Sequence, residues 1–249
     1  MESFICQNCG ADVDAKFCSQ CGQERQSRIS LDKVGKDVYN GLFDFESPFL
    51  KTLYFLTVNP SKVYREYIDG ARKRYFSPVR YSIWLMTLMV AIAALTDTVL
   101  IDFSQFENKE VSSNLEFKNL LINFQSMINS LLIPFYFVFA ILTTGFIKLL
   151  FRREKYTFAE LYLPTLLSIS HFCLVYSLFI LVGFFQNMWA QLILTILSTG
   201  YMCWGLTGIY SPLKTSNYFK SFIAIVLGTV SYMFAFSVLS FLLGYFSQI

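Results

Sequence analysis

The sequence predicts an all-α membrane protein with five transmembrane helices behind a short cysteine-rich module. Of its 249 residues, 55% are hydrophobic and only 15% are charged, and the mean hydropathy is +0.48. Soluble domains carry about 25% charged residues, so this chain has too few charges to cover a water-facing surface. The composition therefore excludes an ordinary soluble enzyme, a disordered chain and a disulfide-stapled miniprotein.

Cysteines and charges divide the chain into three predicted parts. Residues 1–26 hold four of the six cysteines, residues 27–78 are polar and amphipathic, and residues 79–249 consist mainly of long apolar stretches. The chain opens without the basic segment and apolar core of a signal peptide. We therefore expect a cysteine module, an amphipathic collar (residues 27–78) and a membrane bundle, in that order.

Four of the cysteines repeat one motif, Cys-x-x-Cys-Gly, at residues 6–10 and 18–22. Such a turn aims two thiolates at one point, and its glycine permits the positive φ that lets backbone N–H groups face sulfur. Two turns fill the tetrahedral coordination of Zn²⁺ and leave no position for a substrate. The predicted structural zinc ligands are Cys6, Cys9, Cys18 and Cys21. Metal binding would supply the folding free energy of so short a module.

Other uses of these cysteines stay open. Iron would accept the same tetrahedral set in a rubredoxin-like site. Disulfides are disfavoured if the N-terminus is cytoplasmic, and a thioredoxin-like dithiol needs a βαβ context that the sequence lacks. The remaining cysteines, Cys173 and Cys203, fall in apolar stretches and are expected to be small buried side chains.

The collar is predicted to contain three short amphipathic helices. Ser30 can cap the first, while Ser47-Pro48 and Asn59-Pro60 begin the second and third, because a polar cap followed by proline is typical of a helix start. Gly70 ends the third. Aromatic faces with basic flanks beside a first span are typical of helices in the membrane interface.

Basic side chains are concentrated where the collar meets the bundle, and they suggest contact with membrane lipids. An anionic membrane surface attracts each such cation by about 1 kcal/mol. Three uses of these basic residues stay open. Their charge can set the membrane topology, they can bind a lipid headgroup or phosphate, or they can bind nucleic acid. Nucleic acid is disfavoured because Glu66 and Asp69 interrupt the positive face. The candidate residues are Arg72, Lys73, Arg74 and Arg80.

Five apolar stretches are long enough to cross a hydrocarbon core about 30 Å thick as helices. The predicted spans are 81–100, 127–147, 161–185, 188–210 and 222–246. Lys and Arg are concentrated before the first span, after the second and between the fourth and fifth. Because cytoplasmic flanks carry this excess, we expect a cytoplasmic N-terminus and an external C-terminus.

Three polar residues within or beside the spans are candidates for function, since polar groups at membrane depth are costly. His171 can relay protons or bind a ligand, or it can be neutral and hydrogen-bonded to a neighbouring helix. Asp97 lies near the outer end of the first span, where water can hydrate it. Asn129 belongs to a polar group at the start of the second span and can line a path or join two helices.

The remaining span residues predict packing, not chemistry. Small residues indicate two close-packing faces, Gly205 with Gly208 and Gly228 with Ser231 and Ala235. The sequence has one histidine, no glycine-rich phosphate loop and no nucleophile–base set. We therefore expect no enzymatic activity but a scaffold or adaptor whose ribbon binds a cytoplasmic protein or another copy of the chain. The alternative is a transporter for lipids or small solutes.

Several features at the start of the chain occur together: the two Cys-x-x-Cys-Gly motifs, Arg28–Leu31, Thr52-Leu53, Asn59-Pro60, Tyr67–Arg72 and Tyr75–Pro78. With these features, about residues 4–80 resemble an uncharacterised bacterial family of multi-helix inner-membrane proteins with an N-terminal zinc ribbon. This resemblance implies a bacterial inner-membrane location and implies no activity. Five spans after an Asn-Pro helix are also similar, more distantly, to the Yip family of membrane proteins.

Overall fold

The computed structural model describes residues 4–23, 48–100, 131–185, 187–210 and 214–246. These ranges contain a two-stranded antiparallel ribbon, one 3₁₀ turn at Arg72–Arg74 and seven α-helices. The strands are β1 (Phe4–Ile5) and β2 (Asp12–Val13), and the helices are α1 (Pro48–Val58), α2 (Pro60–Ile68), α3 (Pro78–Leu95), α4 (Leu132–Leu150), α5 (Phe158–Leu181), α6 (Met188–Thr207) and α7 (Thr215–Phe246). The helix predicted from Ser30 and the candidate Asn129 lie outside the described residues.

Helices α1 and α2 together form a helical hairpin (the hairpin), and both begin at the prolines where the sequence predicts their starts. The Asn59 side chain caps α2 by accepting the Lys62 backbone N–H at 3.2 Å. Gly70, with φ of 110°, turns the chain after α2. The hairpin packs against α5 and α6, with Leu56 and Tyr64 fully buried. The hairpin is therefore part of the bundle, and its location in the membrane interface stays a prediction.

Helix α5 is the centre of the bundle. It begins at a capping box in which the Thr157 backbone N–H donates to Glu160 Oε2 at 2.7 Å and the Glu160 N–H donates to Thr157 Oγ1 at 3.3 Å. Every residue from 159 to 173 is buried. Helices α3, α4 and α6 pack around α5, and α7 packs on α4 and α6.

The connections between the long helices meet at the end of the bundle that carries the ribbon. The Tyr156 hydroxyl, just before α5, donates to the Ile209 carbonyl just after α6 at 3.2 Å. The pKa of Tyr156 is raised, mainly by burial and also by the carboxylate of Asp69 in the collar. Lys220 of α7 lies 5.4 Å from the centre of the Phe151 ring after α4. The collar, the ribbon and the α4–α5 and α6–α7 connections therefore share one end.

Four apolar helices long enough to cross a membrane indicate a membrane protein. They are α3 with the preceding turn (Arg72–Leu95), α4, α5 and the first part of α7 (Thr215–Ala235). Helix α6 has 20 residues but is not among these four. Its polar residues, including Gln191, Thr195 and Ser198, lower its hydropathy. The described residues are thus mostly helical and include four candidate spans, and a count of five stays a prediction.

Several helix ends differ from the predicted spans. Helix α3 ends at Leu95, not at residue 100, and Asp97 lies beyond it, exposed in a left-handed turn with φ of 49°. Helix α5 ends at Leu181, and α7 begins at Thr215, seven residues before the predicted start. The reason is that hydropathy marks where side chains are apolar, whereas turn-forming and capping residues decide where helical hydrogen bonds begin and end.

Candidate metal centre

The two Cys-x-x-Cys-Gly turns have the same backbone geometry. The Gly10 N–H donates to the Cys6 carbonyl at 2.7 Å, and the Gly22 N–H donates to the Cys18 carbonyl at 2.8 Å. Gly10 and Gly22 have φ of 79° and 66°, in the left-handed region that glycine adopts without steric cost. A repeated sequence therefore folds into a repeated turn, and the glycines serve the purpose predicted for them.

The turns bring the four predicted ligand atoms together. Cys6 Sγ lies 3.6 Å from Cys21 Sγ, and Cys9 Sγ lies 3.6 Å from Cys18 Sγ. All four sulfurs lie within 4.8 Å of one another, and all four cysteines are free. A tetrahedral zinc with Zn–S bonds of 2.3 Å separates its sulfurs by about 3.8 Å, whereas a disulfide needs about 2.05 Å. The four thiols can therefore hold one metal ion.

Hydrogen bonds to sulfur give the thiols different proton affinities. Partial burial raises the pKa of Cys21, but hydrogen bonds from the Asn8 side chain and the Gln23 backbone outweigh it and lower that pKa to about 6. A hydrogen bond from the Ala11 backbone lowers the pKa of Cys9, while burial and contacts with the other thiols raise it to about 12. Since the thiolate is the metal ligand, metal binding at neutral pH releases protons from this cluster.

Gln23 attaches the ribbon to the collar. Its buried side chain donates through Nε2 to the Gly70 carbonyl and accepts the Lys73 backbone N–H at Oε1, at 3.3 Å. The Lys73 side chain reaches over the ribbon, and a Cβ at Gly22 would lie 3.2 Å from its ammonium. The ribbon therefore has a fixed position on the helices.

The outer surface of the ribbon exposes two large apolar side chains. Ile5 is 62% exposed and Phe17 is 53% exposed. Each directly precedes the first cysteine of its turn, so the two occupy equivalent positions of the repeat. The Lys16 ammonium lies 5.5 Å from the centre of the Phe17 ring. This surface offers apolar contacts with a charged neighbour.

The four basic candidates do not act as one group. Lys73 and Arg74 line a polar cleft of about 330 Å³ between the ribbon and α1, and Arg72 and Arg80 do not line it. Arg74 also donates to Glu66 Oε2 at 3.1 Å. The cleft is lined by Asn8, Pro48, Lys51, Lys73 and Arg74.

His171 is buried where the hairpin meets α3, α5 and α6. Its Nδ1 is hydrogen-bonded to the Tyr81 hydroxyl at 2.7 Å, and its Nε2 to Thr57 Oγ1 at 3.2 Å. Its ring stacks on Tyr201 with centroids 5.5 Å apart. Both ring nitrogens therefore have partners on neighbouring helices, the arrangement expected of a histidine that joins helices.

Sequence reasoning missed several residues of these sites, among them Thr57, Lys51 and Gln23. Thr57 and Lys51 lie on the short helix α1, and the sequence does not indicate which residues this helix contacts. Gln23 had a weak signal, because it occupies the repeat position that Ala11 holds in the first turn. A long polar side chain at a repeat position where the other copy has a small residue can indicate a contact outside the module.

One comparison with known proteins gives a match. A family model described as "Protein of unknown function (DUF3667)" matches residues 46–90, which include the hairpin, the 3₁₀ turn and most of α3. No curated protein and no solved structure matches the chain. The match agrees with the expected likeness to an uncharacterised family. The likeness to Yip proteins stays a prediction.

Proposed function

We propose that this protein is a non-enzymatic membrane adaptor whose zinc ribbon binds a cytoplasmic protein or a second copy of the chain. The ligand set supports this most directly. Four thiolates saturate a tetrahedral Zn²⁺, and catalytic zinc sites keep one position for water or substrate. Bound zinc would supply rigidity here, while Cys6, Cys9, Cys18 and Cys21 hold it.

The position and surface of the ribbon also support an adaptor. Gln23 attaches the ribbon to the collar, and both Ile5 and Phe17 are exposed on the ribbon. Apolar side chains on a module that is held in place lose little conformational entropy when a partner covers them.

We further propose five crossings in a bacterial inner membrane, with the N-terminus cytoplasmic and the C-terminus outside. The family resemblance supports the membrane, and the basic connections support the orientation. Four basic residues belong to connections at the ribbon end, namely Arg152, Arg153, Lys155 and Lys214, and Lys220 lies near the start of α7 at the same end. Among the described residues of the opposite end, Asp97 carries charge. Helix α6 has 20 residues, and the four candidate spans have 19 to 24, which supports a fifth crossing.

In-cell crosslinking followed by affinity purification tests the adaptor. Replacing the exposed pair together, Ile5→Ser with Phe17→Ser, should abolish the crosslinked species without changing the zinc content. The matched control is Ser19→Ala with Gln20→Ala, two exposed polar positions of the same ribbon. A crosslinked species that survives the first double variant contradicts the proposal. A species of twice the chain mass assigns the surface to self-association.

A transporter of lipids or small solutes is the second candidate, and the polar group around His171 favours it. Besides Tyr81 and Thr57, the Tyr64 hydroxyl bonds to Ser168 Oγ at 2.7 Å close by. Such groups between helices can serve a moving solute. His171→Ala should remove transport in that case, and it should leave partner binding by the ribbon unchanged if the adaptor proposal holds.

A further inference from the structure

We propose that the cleft between the ribbon and α1 binds a phospholipid headgroup in which a hydroxyl or ammonium donor neighbours the phosphate. This proposal is independent of the adaptor, because the cleft and the pair formed by Ile5 and Phe17 are different surfaces. It also reassigns the basic collar: Lys73 and Arg74 contribute to the site together with Lys51, and Arg72 and Arg80 do not.

The described residues that line the cleft carry three positive charges and no negative charge. Lys51 comes from α1, while Lys73 and Arg74 come from the 3₁₀ turn. In the part of the chain that the structure describes, no carboxylate lies within ion-pair distance of Lys51 or Lys73, and Glu66 is shared between Arg74 at 3.1 Å and Lys62 at 3.8 Å. Among the described residues, no carboxylate competes for these two ammonium groups, and cations form strong hydrogen bonds with phosphate oxygens.

The start of α1 adds to this attraction. Pro48 is the first residue of the 11-residue helix and lines the cleft. The positive end of the helix dipole therefore lies at the same place as the ammonium groups. A helix start with cations around it is a favourable environment for a phosphate.

Asn8 indicates what accompanies the phosphate. Its side-chain amide donates towards Cys21, and its Oδ1 is buried without a hydrogen-bond partner among the described residues. A buried acceptor without a partner is costly, and a hydroxyl or ammonium group of a ligand would satisfy it once the Asn8 side chain turns towards the cleft that it lines. Phosphatidylglycerol and phosphatidylethanolamine carry such donors, whereas phosphatidylcholine has no O–H or N–H in its headgroup.

Exposed apolar residues beside the cleft favour a lipid over a soluble phosphate compound. Leu50, Tyr54 and Val58 are 70%, 62% and 54% exposed and follow one another at intervals of four on α1. Residues four apart lie on one face of a helix, so they form a single apolar stripe next to Lys51. The cleft can hold a headgroup, and the stripe can hold the beginning of an acyl chain.

Lipid titration of the purified zinc-loaded protein in detergent, followed by native mass spectrometry, tests the site. Lys51→Gln with Lys73→Gln should weaken phosphatidylglycerol binding about tenfold to thirtyfold, since each cation near a headgroup contributes a factor of about five. The control is Lys155→Gln with Lys214→Gln, which removes the same charge from exposed lysines elsewhere. Equal binding by the two double variants overturns the proposal.

Two further arms identify the ligand. Phosphatidylethanolamine and phosphatidylcholine have the same net charge, so tighter binding of the first supports the role of Asn8 Oδ1, and equal binding overturns it. Inorganic phosphate lacks acyl chains and should bind at least about tenfold more weakly than phosphatidylglycerol. Equal affinity would overturn the lipid assignment in favour of a soluble phosphate compound. These outcomes do not depend on whether a partner binds at Ile5 and Phe17.

Discussion

Gln23 bonds to two backbone groups of the collar at once, the Gly70 carbonyl and the Lys73 N–H. The thiol ligands could be predicted from the sequence because their spacing is local and zinc accepts few geometries. This contact could not, because its partners are main-chain groups 47 and 50 residues away that any sequence would supply. Local motifs therefore predict the metal site but not its attachment.

Gln23→Ala should release the ribbon from the collar while leaving the metal site intact. Two collar backbone groups would lose their partner, at a cost of about 1–3 kcal/mol. Hydrogen exchange should therefore become faster in the ribbon and at residues 70–73, with an unchanged zinc content. Gln20→Ala, an exposed position on the same ribbon, is the control. Unchanged exchange in Gln23→Ala would show that the clamp does not hold the ribbon.

The hairpin packs against the C-terminal end of α6, where glycines leave room for its close approach. A Cβ at Gly208 would lie 2.0 Å from Ser61 Oγ, and one at Gly205 would lie 2.8 Å from the Tyr64 ring. Ser61 Oγ also donates to the Gly205 carbonyl at 3.2 Å. The sequence predicts this small-residue face but not its partner, since glycines indicate only that something approaches closely. The partner is a short collar helix, not another long one.

Gly208→Ala should displace the hairpin and lower the unfolding temperature. Gly208 has an ordinary helical φ of −68°, so the cost is the clash with Ser61, about 1–3 kcal/mol as for other overpacked sites. Gly200→Ala on the same helix is the control, because nothing lies within 4 Å of a Cβ there. It should be neutral or stabilising.

A double variant, Gly208→Ala with Ser61→Gly, separates this clash from a general effect on α6. Removing the Ser61 side chain removes the atoms that meet the new methyl group, so part of the lost stability should return. If Gly208→Ala is as stable as Gly200→Ala in thermal unfolding, the close approach of α2 to α6 is wrong.

The described residues have most of their charges and the cysteine module at one end of the bundle, and this asymmetry could be predicted from the sequence. Composition and apolar stretches predict the helices because backbone groups in hydrocarbon must bond within their own segment. The number of crossings could not be decided in the same way. Helix α6 is long enough to cross a membrane, but Gln191, Thr195 and Ser198 lower its hydropathy. Hydropathy alone therefore does not decide whether α6 crosses.

Reporter fusions at residue 249 distinguish five crossings from four. With a cytoplasmic N-terminus, an odd number of crossings places the C-terminus outside. Alkaline phosphatase, which is active only outside the cytoplasm, should therefore be active there, and a green fluorescent protein fusion should be dark. A fusion at residue 155, among the basic residues after α4, should give the reverse pattern. The same pattern at both sites would refute the proposed five-span topology.

We propose that four thiolates enclose the metal, so that the ribbon binds partners and performs no reaction. X-ray absorption spectroscopy of the purified protein measures this coordination directly. We expect zinc with four sulfur neighbours at about 2.3 Å and no lighter neighbour in the coordination sphere. A nitrogen or oxygen ligand at about 2.0–2.2 Å, with fewer than four sulfurs, would contradict the claim and reopen a catalytic role for the ribbon.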